Sequence, residues 1–152
     1  MNVASTERIL SREECKVLLA GAAIGRVILT AHALPTALPV SYVLDGDDII
    51  FRTSEGAKFA AAHVGTVVAF EVDDFEPALR IGWSVVVTGV ATVVTDPDEK
   101  PRMEALRIPT WVAAASTQHV RLPTTMLHGR RVARYSTEEA TVLCAGSGPP
   151  FW

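Results

Sequence analysis

Cysteine is scarce in this sequence: two in 152 residues, Cys15 and Cys144, far apart and in no CxxC spacing. That excludes a disulfide framework and offers neither a zinc ligand pair nor a redox pair. Charge of one sign is lacking too, since 14 Lys and Arg are interspersed with 17 Asp and Glu for a net charge of -3. No basic field exists to attract a nucleic acid backbone or an anionic membrane, so neither is an expected partner. No apolar run reaches the roughly 18 to 20 residues of a membrane span, and no basic stretch followed by a continuous apolar one opens the chain. The expected compartment is the cytoplasm. Gly-x-Ser-x-Gly elbows, Walker loops and Rossmann glycine patterns are absent, and there is no internal repeat. His63, His119 and His128 have no partner at helical i,i+4 spacing and His32 falls in a loop, so no metal site is expected.

What is present suits one globular domain, expected over residues 1–140, with 141–152 as a flexible Gly/Pro-rich tail. Apolar residues make up 49% and charged residues 20%. At this length a core needs no covalent staple, and a slight apolar excess is available for a shared interface.

Ser11-Arg12-Glu13-Glu14 is a capping-box pattern, because the Ser hydroxyl can accept from a first-turn amide while Glu14 reaches back to the Ser amide. It predicts a short helix with Cys15, Leu18 and Leu19 on its apolar face and a stop at Gly21. From Gly25 the pattern becomes β-branched and alternating, giving strands over Arg26 to Ala31, Leu38 to Leu44 and Asp48 to Thr53. The last two are joined by a tight hairpin at Asp45-Gly46-Asp47. A loop with Pro35 separates the first two, and Pro39 predicts an edge or a bulge where the second strand begins. Gly56 to His63 suits a helix of about two turns. Thr66 to Val72 is a further strand, and Trp83 to Thr95 a long one that Gly89 should bend. Asp96-Pro97-Asp98-Glu99 opens another helix. Val120 to Leu122 and Leu127 to Tyr135 are one last strand interrupted by Pro123, or two. Many short strands with few helices predict a mainly β fold, an antiparallel barrel with helical lids, rather than a doubly wound parallel sheet.

The sharpest local feature is the passage from strand to helix at Phe51-Arg52-Thr53-Ser54-Glu55-Gly56-Ala57-Lys58. Arg52 offers a forked donor set, Lys58 a mobile charge, Gly56 a close backbone approach, and the new helix its free amides: together a cradle for phosphate. The alternative is a helix cap at Thr53 or Ser54 flanked by solvated charges, with Glu55 opposing them. Trp83 and Trp111 could stack on a flat ligand, although an indole at a strand start or in a helix more often packs in a core or an interface. Glu71 and Asp73 share a strand face, a placement more common at a surface than in a general acid/base pair.

The neighbouring segments add a family resemblance. The capped helix, Gly25-Arg26-Val27, Leu38-Pro39-Val40-Ser41-Tyr42, Ile50-Phe51-Arg52-Thr53 with Gly56 and Lys58, Val68 to Asp73, and Gly82 to Gly89 follow one another as in the pyridoxamine 5'-phosphate oxidase-like, FMN-binding split β-barrel family. Over roughly residues 10 to 95 the chain resembles that family in the order and spacing of these segments. The resemblance implies a homodimeric split barrel with FMN in a groove between subunits and a small organic molecule as substrate. It implies that Pro39, Val40 and Ser41 line the flavin ring, that Arg52, Thr53 and Lys58 hold the phosphate, and that Trp83 and Ser84 add contacts near the dimer interface. Ala57 stands where the oxidases tend to carry a second basic residue, and no C-terminal segment matches the one that grips their substrate's phosphate. The expectation is therefore a flavin-dependent oxidoreductase other than a pyridoxamine phosphate oxidase. The alternatives are a reductase using the deazaflavin F420 on the same barrel, and a non-enzymatic flavin or haem binder.

Overall fold

The computed structural model describes residues 3–31, 33–53, 65–110 and 117–136. Nine strands and two helices appear among them: β1 (Val3–Ile9), α1 (Arg12–Gly21), β2 (Ile24–Ala31), β3 (Leu34–Asp45), β4 (Asp48–Thr53), β5 (Val67–Glu76), β6 (Ile81–Val90), β7 (Thr92–Val93), α2 (Lys100–Ala105), β8 (Gln118–Pro123) and β9 (Met126–Ser136). The strands form one sheet in the order β1-β9-β6-β5-β2-β3-β4-β8-β7, with every pairing antiparallel.

Two strands that change partner curl the sheet into a barrel. β3 pairs with β2 through Ser41 and with β4 from Tyr42 onward. β6 pairs with β5 and β9, and past the buried Ala91 its continuation β7 pairs with β8. The expected bend falls at Ala91. Two residues earlier, a Cβ on Gly89 would lie 3.2 Å from the Leu122 side chain and 3.4 Å from the Pro123 carbonyl oxygen, so glycine there admits the close approach of β8.

Alternation decides the interior, because successive residues of a strand face opposite ways. Val27 and Leu29 of β2, Val68, Phe70 and Val72 of β5, and Val85 and Val87 of β6 are buried in one core with Tyr42, Ile49, Phe51, Val120 and Leu122. Full burial of side chains of this size stabilises the fold by about 1.5–3 kcal/mol each. Tyr42 meets Phe70 edge-on at 4.9 Å between ring centres. β4 is buried on both faces, since Ile50 turns outward to pack with Met103 and Ile108 beneath and beyond α2.

α1 closes one end of the barrel. Both halves of the capping box form: the Glu14 amide donates to Ser11 Oγ at 3.2 Å and the Ser11 amide to Glu14 Oε2 at 2.8 Å. Cys15 and Leu19 enter the core, and the Tyr42 hydroxyl donates to the Leu19 carbonyl at 2.5 Å. Burial pushes both the Cys15 thiol and the Tyr42 phenol up, so each stays protonated.

Several expectations need correction. β1 was missed; it pairs along β9 at the sheet edge, and its sequence, with charges at Glu7 and Arg8, hides the alternation. The loop expected around Pro35 is strand, because β3 starts at Leu34 and pairs with β2 from Ala31↔Leu34 onward. Pro39 does lie where β3 has no strand partner on its other side among the described residues, so its missing N–H breaks no ladder there. β5 runs on to Glu76 rather than ending at Val72. The second helix begins at Lys100, with Pro101 in its first turn, and Asp96–Glu99 forms a turn instead, in which the Asp98 amide donates to Asp96 Oδ1 at 2.9 Å. The final segment is two strands, divided at Thr124, whose amide and hydroxyl both donate to the Asp47 carbonyl oxygen. The hairpin at Gly46 is as expected, Gly46 taking φ 63°. The helix expected over Gly56 to His63 and the tail lie outside the described residues.

Candidate functional site

Arg52 stands at the end of β4 on the outer face, in line with Ile50, while Thr53 takes the inner parity of Ile49 and Phe51. The two side chains therefore leave the strand in opposite directions and do not converge through their side chains on one ligand. Register brings His119 of β8 opposite Arg52, and Gln118 opposite Thr53. The guanidinium of Arg52 is braced by two hydroxyls, Nη1 donating to Thr110 Oγ1 at 2.9 Å and Nη2 to Thr117 Oγ1 at 2.5 Å. Its Nε is buried with no hydrogen-bond partner.

Around Arg52 lies a cavity of about 620 Å³. Its wall carries Lys100 and Glu104 of α2, Arg107 just past the cap of that helix, His119 and Thr117 from the β8 side, and an apolar floor of Val94 and Ile108. Three basic side chains, Arg52, Lys100 and Arg107, line it with one carboxylate, Glu104. His119 titrates below its ordinary value, because burial and then the charge of Arg52 disfavour a second cation, with Glu104 opposing the shift. At neutral pH it is a neutral imidazole. Arg107 follows α2 with φ 50°, a left-handed conformation usually given to glycine at a helix end. Holding a branched cation there costs about 1–2 kcal/mol.

The other sequence-predicted residues lie elsewhere on the barrel. Pro39 and Ser41 of β3 share the outer face of the sheet with Ser84 of β6, as the registers Arg26↔Pro39, Arg26↔Glu71, Glu71↔Val86 and Asp73↔Ser84 require. Between them Arg26 donates to Glu71 at 2.6 Å and to Asp73 at 3.2 Å. Ser41 is buried despite its outward parity. Val40 and Trp83 turn inward and pack against the main core, so the indole of Trp83 is used in packing. Lys58, Gly56 and Trp111 lie outside the described residues. Lys100, Arg107 and His119 were missed as a group, since Arg52 and His119 are 67 residues apart and only strand pairing joins them. Among the described residues no cluster of three or more His, Cys, Asp or Glu could hold a metal ion, and no helix is long and apolar enough to cross a membrane.

Comparison with known proteins agrees with this architecture. A family model described as pyridoxamine 5'-phosphate oxidase matches residues 11–142. The chain belongs to that family, whose split β-barrel it shares. It is 41% identical over 128 residues to an uncharacterised Mycobacterium tuberculosis protein, Rv0080, covering 81% of this chain and 84% of that one. Among solved structures it is similar to the FAD binding protein of Mycobacterium smegmatis, with a TM-score of 0.71 and 36% identity over 85% of this chain and 100% of the other. A conserved Corynebacterium diphtheriae protein of unknown function superposes with a TM-score of 0.71 at 27% identity, over 84% and 98% of the two chains.

Proposed function

We propose that this chain is a flavin-binding oxidoreductase that acts as a homodimer in the cytoplasm on a small organic substrate. The observation that carries the reading is the donor set at the end of β4: a braced guanidinium with a buried, unpartnered Nε, beside two further cations and one carboxylate. A phosphate is the group such a set fits, because its oxygens can accept from a forked donor and its charge offsets the cations. The 36% identical relative named as FAD binding supports a flavin as the carrier of that phosphate.

In this reading Arg52 holds the ribityl phosphate that FMN and FAD share, with Lys58 a few residues further along the chain adding charge and Thr53 contributing through its backbone. Pro39, Ser41 and Ser84 line the ring side on the outer sheet face, while Val40 and Trp83 hold the strands in place from within. When bound, the flavin supplies the electron transfer, and the protein orients it and selects what reaches it. The deazaflavin F420 carries a comparable phosphorylated side chain and is the competing cofactor.

The homodimer rests on the same outer face. Ile24, Ile28, Phe75, Val90 and Met126 are exposed on it. A second copy of this chain would bury them together with the Arg26 ion pairs.

Titration of purified chain with FMN, FAD and F420, followed by quenching of cofactor fluorescence, tests the reading. Tight binding of FMN or FAD is expected, weakened about tenfold or more in Arg52→Ala, the range for a charged hydrogen bond. Absence of flavin binding overturns it, and preference for F420 replaces the cofactor. Light scattering should report a dimer, and Ile28→Asp a monomer.

A further inference from the structure

Among the described residues of the cavity wall, His119 is the one whose ordinary titration falls near neutrality, and the function proposed above leaves it unused. Alternation puts it there. Val120 and Leu122 of β8 are buried in the main core, so His119 leaves the strand outward, on the side of its cross-strand neighbour Arg52. Side chains opposed in this way start from Cβ atoms about 4.5–5.5 Å apart. The His119 carbonyl also accepts from the Val94 amide at 2.9 Å, just past β7, and the Val94 side chain lines the same cavity. β4 on one side and the continuation of β7 on the other thus fix where the ring leaves the backbone, beside the guanidinium.

What faces the ring decides its state. Arg52 comes from β4, Lys100 and Glu104 from α2, and Arg107 from just past that helix. Burial and the Arg52 charge hold the imidazole neutral against the opposing pull of Glu104. A phosphate seated on Arg52 cancels the second of these causes, because its negative oxygens stand beside both side chains and favour an imidazolium that donates to them. We infer that His119 is a second phosphate-binding side chain beside Arg52, and that it takes up a proton from solvent when a phosphate settles there. This rests on the phosphate site of the reading above and couples that site's hold on its ligand to pH. Where the free imidazole is neutral and the bound one charged, each binding event consumes a proton, so affinity falls as pH rises through that window and is level on either side of it. A ring that only packed against the ligand would leave affinity level throughout.

The test follows the histidine ring signals of the full chain by NMR from about pH 5 to 8, first in chloride and then with inorganic phosphate, FMN or FAD. The His119 midpoint should rise by about one pH unit or more when the site is filled, equivalent to about tenfold stronger binding at the acid end of the range than at the alkaline end. Inorganic phosphate and FMN change charge themselves near pH ~6, whereas the diphosphate of FAD does not, so FAD affinity read by fluorescence quenching isolates the proton taken up by the protein. His119→Gln should lose that pH dependence while binding FAD at the alkaline end as native protein does. The midpoint in native protein reads the inference even where the variant does not fold. A midpoint unmoved by a bound flavin, or the same pH dependence of FAD affinity in native protein and variant, overturns the inference and leaves the flavin reading standing. If no flavin binds, the flavin reading falls, and the midpoint with inorganic phosphate alone decides this one: a rise supports it and no change overturns it.

Discussion

The two helices are held in different ways. α1 has ten residues, a complete capping box and two buried side chains, Cys15 and Leu19, seated in the main core. α2 has six residues, no side-chain cap and one buried side chain, Met103, in a small separate cluster. Below α1 the packing is tight enough that a Cβ on Gly129 would fall 2.3 Å from Cys15 Sγ. Below α2 lies the cavity. α1 is a plug whose sequence is spent on stability, and α2 is a roof whose side chains point charge into a space. Across that space stands Arg52, whose buried Nε has no hydrogen-bond partner, and a buried donor left unmade is costly.

The largest expected break in that contrast comes from emptying the plug. Leu19→Ala should destabilise the fold by about 2–5 kcal/mol, the range for a fully buried leucine, and urea denaturation would measure it. A truncation under α2 at an exposed position should do far less.

Arg107→Gly should sharpen the contrast by moving two properties in opposite directions. Glycine at φ 50° relieves about 1 kcal/mol of backbone strain, so thermal stability should rise while affinity for flavin falls. A fall in both would mean that Arg107 is structural.

The smallest effect belongs to the cap of α1. The Arg8 guanidinium, with the Ser11 amide, lowers the Glu14 carboxyl from 4.5 to about 2. A depressed carboxyl stabilises the fold above its unfolded value, and that contribution is lost as pH falls from about 4.5 towards 2. Glu14→Gln should flatten acid unfolding in that window and leave the neutral-to-alkaline dependence unchanged.

Much of the fold is legible in the sequence where its signals are local. Val27 and Leu29 alternate with Arg26 and Ile28, and the barrel takes the first pair inside. Ser11 and Glu14 predict a cap that forms, and Asp45-Gly46-Asp47 predicts a turn that forms. β1 escaped because an edge strand buries little and so needs little alternation. The site was half legible. Arg52 stands out as a candidate in a short run of residue types, but that run also suggests that Arg52 and Thr53 act together, and strand parity turns their side chains to opposite faces.

By itself the sequence determined most of the strands, their inward faces, the cap on α1 and the family, because each depends on residues close together in the chain or on the order of segments. Only the tertiary structure decided that His119 stands opposite Arg52, that two threonines brace the guanidinium, and that Lys100 and Arg107 share its cavity. The reason is physical. Periodicity fixes which way a side chain leaves its strand, whereas register between segments some 70 residues apart is set by how the barrel closes over its core, and that closure is a property of the whole chain.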